Sequence, residues 1–231
     1  GQSALLLSAT LPPSLKQRLL KTYGHSATTS PSDEYPLVIW QQQDLQRCFD
    51  LSAAPEHLPP VVQLNIECCY LNEMQPDAGL LEQMIAAAQA GAQVCLICNL
   101  VDVAQQVYQR LCASTALEII LFHSRFTLTD RATKEELTLR YFGASGDRSI
   151  GRILVGTQVV EQSLDVDFDW LITQLCPVDL LFQRAGRLHR HSRQCRPEGY
   201  QQPKLTVLLP ASHDYGNSNY IYRSEERRVG K

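Results

Sequence analysis

The sequence predicts an α/β fold, a parallel sheet flanked by helices on both faces. Three observations carry this expectation. Short apolar runs alternate with helix-length segments from residue 61 onward; hydrophobic residues make up 44% and charged residues 19%, an ordinary globular balance; and neither an internal repeat nor a long low-complexity segment breaks the rhythm. Strands buried on both faces read as near-continuous apolar runs, and helical crossovers between them imply parallel pairing.

The elements follow in order. "ALLLSAT" (4–10) reads as a buried strand ending in a polar turn. "PPSLKQRLLKTYG" (12–24) reads as a helix with prolines at its start and Gly24 past its end. Residues 25–60 lack periodicity and are rich in Ser, Thr, Gln and Pro, which marks a connector with short pieces of structure. Regular alternation then begins, with strand "VVQLNIECCYL", helix "PDAGLLEQMIAAAQAG", strand "QVCLICN", helix "LVDVAQQVYQRLC" and strand "LEIILFH". Helix "TLTDRATKEELTLRYFG" places Thr127 and Asp130 at a capping-box spacing and Gly143 past its end. "GRILVGT" and "DWLITQL" are strands, "PVDLLFQRAGRLHR" a helix, and "PKLTVLLP" the last strand.

A length of 231 residues and a mass of 26.0 kDa allow one large domain or two small ones. A net charge of −3 excludes a surface that is cationic throughout, so any binding of nucleic acid or phosphate must be local. No apolar run approaches the ~20 residues of a membrane span, and no signal-peptide layout opens the chain. The first residue is Gly1, which suggests that the sequence begins inside something longer or processed. Cys95 and Cys98 form a C-x-x-C, but they lie inside an apolar strand with no second pair at metal-site spacing. These two, like the adjacent Cys68 and Cys69, are expected to be buried free thiols, in a reducing and hence cytoplasmic compartment. No metal site is expected. The tail "RSEERRVGK" (223–231) reads as a non-native end, similar to the translation of a sequencing adapter.

Positive charge gathers in "LLFQRAGRLHRH" (180–191), where Arg184, Arg187 and Arg190 recur every third residue with no carboxylate between Asp179 and Glu198. On a helix, Arg187 and Arg190 would project side by side from the carboxyl edge of the sheet. Two adjacent guanidinium groups suit a polyphosphate, offering paired donors and a charge that persists at any relevant pH. A solvated basic face, or cations at a helix C-terminus, fits the same spacing.

"QRAGRLHR" resembles the Q-R-x-G-R-x-x-R motif of superfamily two helicases, "ILVGTQVVEQSLDVDFD" (153–169) their preceding motif, and "LLSAT" (6–10) their Ser-Ala-Thr motif. Together, "TQVVEQSLDVDFDWLIT", "LFHSRFTLTDR" and "QRAGRLHRH" are similar to the helicase-nuclease of type I CRISPR systems, most nearly its type I-E form. The resemblance spans most of residues 3–222. It implies the trailing edge of a first RecA-like domain and a connector at 1–57, then a second RecA-like domain at 58–222. The implied activity is that of an ATP-dependent single-stranded DNA translocase which, with a nuclease domain elsewhere, degrades foreign DNA after recruitment by a Cascade-type surveillance complex. Another superfamily two helicase, on DNA or RNA, and a non-catalytic RecA-like binding module are the alternatives.

Carried onto this sequence, the resemblance implies that Arg187 and Arg190 act as fingers on the γ-phosphate, with Gln183 and, more weakly, Arg184 beside them. Asp165 would orient the nucleotide or its motif partners, the alternative for Asp165, Asp167 and Asp169 being a solvated loop edge. Thr157 and Gln158 would hold a DNA phosphate and couple it to the nucleotide, while Ser8 and Thr10 would link hydrolysis to strand movement; Thr10 equally suits a helix N-cap. Ser124 and Arg125 would meet the strand, with Phe126 either against a base or in the core, and Asn99 would bind phosphate or cap a helix. No G-x-x-x-x-G-K-[ST] occurs and no DE-x-H precedes Ser8, so ATP and Mg²⁺ are expected only for the full-length enzyme and the isolated chain is expected to be inactive. "HD" at His213–Asp214 stands alone and reads as chance.

Overall fold

The structure is a computed structural model that describes residues 4–7, 11–23, 37–42, 45–51, 62–72, 74–161 and 164–211. The chain divides into two compact units, Gly1–Val62 and Gln63–Lys231.

In the first unit, helix α1 (Pro13–Tyr23) begins after Pro12, whose carbonyl accepts the Lys16 N–H at 2.9 Å. Strands β1 (Leu37–Gln42) and β2 (Leu45–Asp50) pair antiparallel from Leu37↔Asp50 to Gln42↔Leu45. This hairpin lies in the segment read as connector, where β-branched and aromatic residues such as Val38, Ile39 and Trp40 favour a strand. The strand expected at 4–10 is not formed at residues 4–7, where the leucines are exposed. An extended run needs a neighbouring strand for its backbone groups, and none of the described strands pairs with it. Ser8 and Thr10, Gly24, His213, Asp214 and the 223–231 tail lie outside the described residues.

The second unit is built on a six-stranded sheet of order β3-β8-β7-β4-β6-β5. Its strands are β3 (Asn65–Leu71), β4 (Gln93–Ile97), β5 (Ile119–Phe122), β6 (Arg152–Gly156), β7 (Trp170–Gln174) and β8 (Lys204–Pro210), every neighbouring pair parallel. Helices α2 (Ala78–Gln89), α3 (Val101–Ser114), α4 (Leu128–Phe142) and α5 (Val178–Ala185) connect them. Every residue of β4, β6 and β7 is buried, which is why these strands read as unbroken apolar runs. Alternation sends Val94, Leu96, Ile153 and Ile172 to the core under α2 and α3, and Cys95, Leu154 and Leu171 to the core with Phe142 of α4 and Ala185 of α5. Each such leucine or isoleucine contributes about 1.5–3 kcal/mol by leaving water.

Local signals set the helix starts. Asp77 accepts the Leu80 N–H at 2.8 Å to cap α2. Thr127 accepts the Asp130 N–H at 3.2 Å and donates to its Oδ2 at 2.7 Å, the expected reciprocal cap of α4. Gly156 ends β6 where a Cβ would sit 2.6 Å from Val160 Cγ2, so glycine lets the following 3-10 turn, Gln158–Val160, fold tightly onto the strand.

One helix is shorter than expected. The pattern predicts a helix over 177–190, but α5 stops at Ala185. Beyond it, Leu188 forms a parallel bridge with Phe168, and His189 takes a left-handed φ of 45°. Backbone groups that a longer helix would use internally are taken by the 165–169 segment instead.

Candidate functional site

Because all six strands run parallel, their carboxyl ends lie along one edge, where ligands bind in open α/β sheets. β4 delivers Asn99 to this edge, β5 delivers Ser124 and Arg125, β6 delivers Thr157 and Gln158, and β7 leads into α5 with Gln183 and Arg184. The adjacency of β4, β6 and β5 thus brings together all five residues expected to contact DNA.

Ser124 is exposed, as is Arg125, which pairs with Asp102 at the start of α3. Phe126 is partly buried against the core and stacks on His123, with ring centroids 4.1 Å apart and planes 6° from parallel. Lys134 Nζ lies 5.8 Å from the Phe126 centroid. The His123 pKa is pushed down, chiefly by burial and further by the Arg125 and Lys134 charges, so the ring favours the neutral form. Thr157 is buried, and its N–H donates to the Phe122 carbonyl at 3.2 Å. Asn99 does not cap α3, whose N-cap is Leu100. Its Nδ2 donates to the Leu175 carbonyl at 2.9 Å, and its carbonyl accepts from Gln158 Nε2 at 3.0 Å.

The three arginines part company. Arg184 is fully buried; its Nε and Nη2 donate to Glu161 Oε1 at 2.7 and 2.6 Å, and its Nη1 bonds Thr173 Oγ1 and the Gln174 carbonyl. Burial pushes the Glu161 pKa up, opposed by the Arg184 charge and hydrogen bond. Arg187 is half-buried, its Nη2 donating to the Glu161 carbonyl at 2.6 Å while its buried Nε has no hydrogen-bond partner. Burial and the neighbouring Arg190 push its pKa down, although guanidinium remains charged. Arg190 is exposed and donates from Nε to Asp165 Oδ1 at 2.6 Å, a bond that holds the Asp165 carboxyl below its usual range. Gln183 is exposed on α5. Arg187 and Arg190 are therefore neighbours across a bridged turn rather than along a helix.

The absence of a carboxylate near the arginines holds only along the sequence. In the structure, Asp165, Asp167 and Asp169 face Arg190, Arg193 and Arg196. Asp167 and Asp169 are fully buried, not a solvated loop edge. Arg196 donates to Asp169 Oδ1 at 2.7 Å and to Asp167 Oδ1 at 3.0 Å, Arg193 donates to Asp167 Oδ2 at 2.8 Å, and Arg148 pairs with Asp169. Arg148, Arg193, Arg196, Glu161 and Gln174 shape the site without having been singled out. The alternating aspartates set against a three-residue arginine spacing, and the lone carboxylate of "VVEQSL", were the available signals.

Residues 90–193 match the family described as CRISPR-associated nuclease/helicase Cas3, C-terminal. Over 225 residues, 96% of the chain, the sequence is 57% identical to the CRISPR-associated endonuclease/helicase Cas3 of Escherichia coli (strain K12), of which it covers 25%. The chain belongs to the Cas3 family. Among solved structures, it resembles T. fusca Cas3-AMPPNP with a TM-score of 0.81 and 29% identity, covering 97% of this chain and 29% of that one. It also resembles a chain of the CRISPR RNA-guided surveillance complex, pre-nicking, with a TM-score of 0.66 and 29% identity over 89% of this chain and 28% of that one. The chain spans about a quarter of the length of the curated Cas3 relatives it matches. The six-stranded unit is accordingly a RecA-like sheet of the Cas3 type.

In this Cas3-family chain Cys95 and Cys98 are buried free thiols as expected, whereas Cys68 is exposed and Cys69 only half-buried, because β3 lies at the sheet edge. Burial pushes the Cys98 thiol up to about 12, which leaves it inert. Among the described residues no group of three His, Cys, Asp or Glu is placed to hold a metal, and no helix is long and apolar enough to cross a membrane.

Proposed function

We propose that this chain is part of an ATP-dependent translocase on single-stranded DNA, working with a nuclease domain of the same longer protein to degrade foreign DNA in type I CRISPR interference. It would supply the second RecA-like domain at 58–222 and, at 1–57, the trailing edge of the first. Arg187 carries this reading: a half-buried guanidinium at the carboxyl edge of the sheet whose Nε is buried without a protein partner. An anion docking between Arg187 and the exposed Arg190 and Gln183 would satisfy that donor.

The donor set fits a nucleotide triphosphate. Arg187 and Arg190 would stabilise charge developing on the γ-phosphate, Gln183 would contact the nucleotide, and Asp165 would hold Arg190 until phosphate competes for it. Arg184, enclosed by Glu161 and Thr173, would support the nucleotide site from beneath. Asn99, Ser124, Arg125, Thr157 and Gln158 would follow the DNA backbone along the β4, β6 and β5 ends, and Ser8 and Thr10 would link hydrolysis to movement. Magnesium would arrive with the nucleotide, on ligands outside this chain. The likeness to Cas3-AMPPNP and to the surveillance complex supports nucleotide as ligand and a Cascade-type complex as recruiting partner. The buried free thiols fit a reducing compartment, the cytoplasm.

The test is a full-length chimera in which this chain replaces the matching quarter of the Escherichia coli relative. DNA-dependent ATPase activity is expected, falling about 10³-fold or more with Arg187→Ala or Arg190→Ala. A folded chimera without ATPase activity, or one indifferent to both substitutions, would overturn the reading.

A further inference from the structure

Between the residues proposed for DNA and those proposed for nucleotide runs a chain of hydrogen bonds that neither group accounts for. Gln174, at the end of β7, is 3% exposed. Its Oε1 accepts the Asn99 N–H at 2.6 Å, its Nε2 donates to the Met74 carbonyl at 2.7 Å, and its own carbonyl accepts from Arg184 Nη1 at 3.2 Å. On one side Arg184 grips the Glu161 carboxylate, and the Glu161 carbonyl receives Arg187. On the other, the Asn99 carbonyl receives the Gln158 side chain.

The two branches meet. Gln158 and Glu161 are the ends of a single 3-10 turn, closed by Glu161 N–H on the Gln158 carbonyl at 3.0 Å. One end of that turn faces the strand-binding edge, and the other carries the acceptor of a finger arginine. The partners between them are largely buried, so a broken bond cannot be replaced by one to water, and displacing one member leaves a costly orphan. The ring therefore favours moving together over opening at one point.

Resting on the function proposed above, we propose that Gln174 is a positioning residue for coupling. A phosphate taken by Gln158 draws its side chain from the Asn99 carbonyl; the Gln174 side chain, which holds the Asn99 N–H, passes that shift to its own main chain and so through Arg184 and Glu161 to Arg187. Gln174 is the informative member because it is uncharged. Removing Glu161 or Arg184 would strand a buried charge and confuse coupling with folding.

The experiment uses the full-length chimera with Gln174→Met, which keeps side-chain length but loses both hydrogen bonds, and Gln174→Asn, which keeps the amide but cannot reach. ATPase kcat and KM are measured without DNA and with saturating single-stranded DNA, alongside DNA affinity and thermal midpoint. Both variants are expected to keep the DNA-free rate and the DNA Kd within about threefold, while stimulation by DNA falls at least about fivefold, the lower end of ordinary allosteric coupling. Unchanged stimulation in either folded variant would overturn the proposal. So would a loss of DNA-free rate and affinity in parallel with the thermal midpoint, which marks a purely structural role. If Gln174→Met does not fold, Gln174→Asn decides by the same ratio. An unsubstituted chimera lacking ATPase activity would instead remove the underlying function, and this inference with it.

Discussion

The backbone N–H of Arg190 donates to Asp167 Oδ1 at 2.9 Å. A fully buried carboxylate thus fixes the main chain of the last arginine in the motif, leaving its side chain at the surface. The same oxygen accepts from Arg196 at 3.0 Å, so the charge that would repel phosphate is neutralised from behind. Placement of Arg190 depends on residues outside the motif that announced it.

Arg196→Met should lower the unfolding free energy by about 3 kcal/mol, the cost of breaking one partner out of a buried ion cluster. Asp167 and Asp169 would keep Arg148 and Arg193, which puts the loss at the lower end of that range. Urea unfolding of the purified chain measures it. An unchanged midpoint would mean that the cluster adds nothing to stability.

Stability should fall on mild acidification. Burial, then the Arg196 charge, pushes the His189 pKa below its ordinary value of about 6.5, and burial does the same to His123. At these two histidines the unfolded chain therefore takes up protons first, while Glu161, whose pKa burial raises, acts in the opposite sense. The stabilising contribution is present above about 6.5 and is lost as pH falls toward the folded-state values. Asp165, held below its usual range, stays charged throughout. Unfolding free energies at pH 7.5, 6.5 and 5.5 should slope accordingly, and His189→Gln with His123→Gln should flatten the slope.

Asp102→Asn should strengthen single-stranded DNA binding at low salt. The Arg125–Asp102 pair is exposed and contributes at most about 1 kcal/mol to stability, so releasing it frees a cation for phosphate at little structural cost. Arg125→Ala should act oppositely and reduce the salt slope by about 1. Fluorescence anisotropy against salt concentration, on the chimera, separates the two. Identical slopes would remove Arg125 from the DNA surface.

The purified chain alone should neither bind ATP tightly nor hydrolyse it, because no G-x-x-x-x-G-K-[ST] loop is present to cradle the phosphates. Turnover by the isolated chain that Arg187→Ala abolishes would contradict this.

The sheet was legible because β4, β6 and β7 are buried on both faces and carry that burial as unbroken apolar runs. The start of α4 was legible because Thr127 and Asp130 complete a cap within four residues. The hairpin at 37–50 was not, since its strands carry no long apolar signal beside a Ser- and Pro-rich stretch. The end of α5 was missed for a different reason. Arginine, leucine and histidine are acceptable helix residues, and what stops the helix is competition from a distant segment.

By itself, then, the sequence determined the family, the order of the strands and helices from residue 61, and which edge of the sheet would gather polar side chains. All of these follow from local periodicity and short motifs. Only the tertiary structure decided the fate of the charges. Arg184, Arg187 and Arg190 are chemically alike and evenly spaced, yet one is sealed against Glu161, one is half-buried with an unpartnered Nε, and one is exposed beside Asp165. Which guanidinium meets a carboxylate and which keeps an unpartnered donor depends on partners more than twenty residues away, brought within 3 Å by the packing of the sheet.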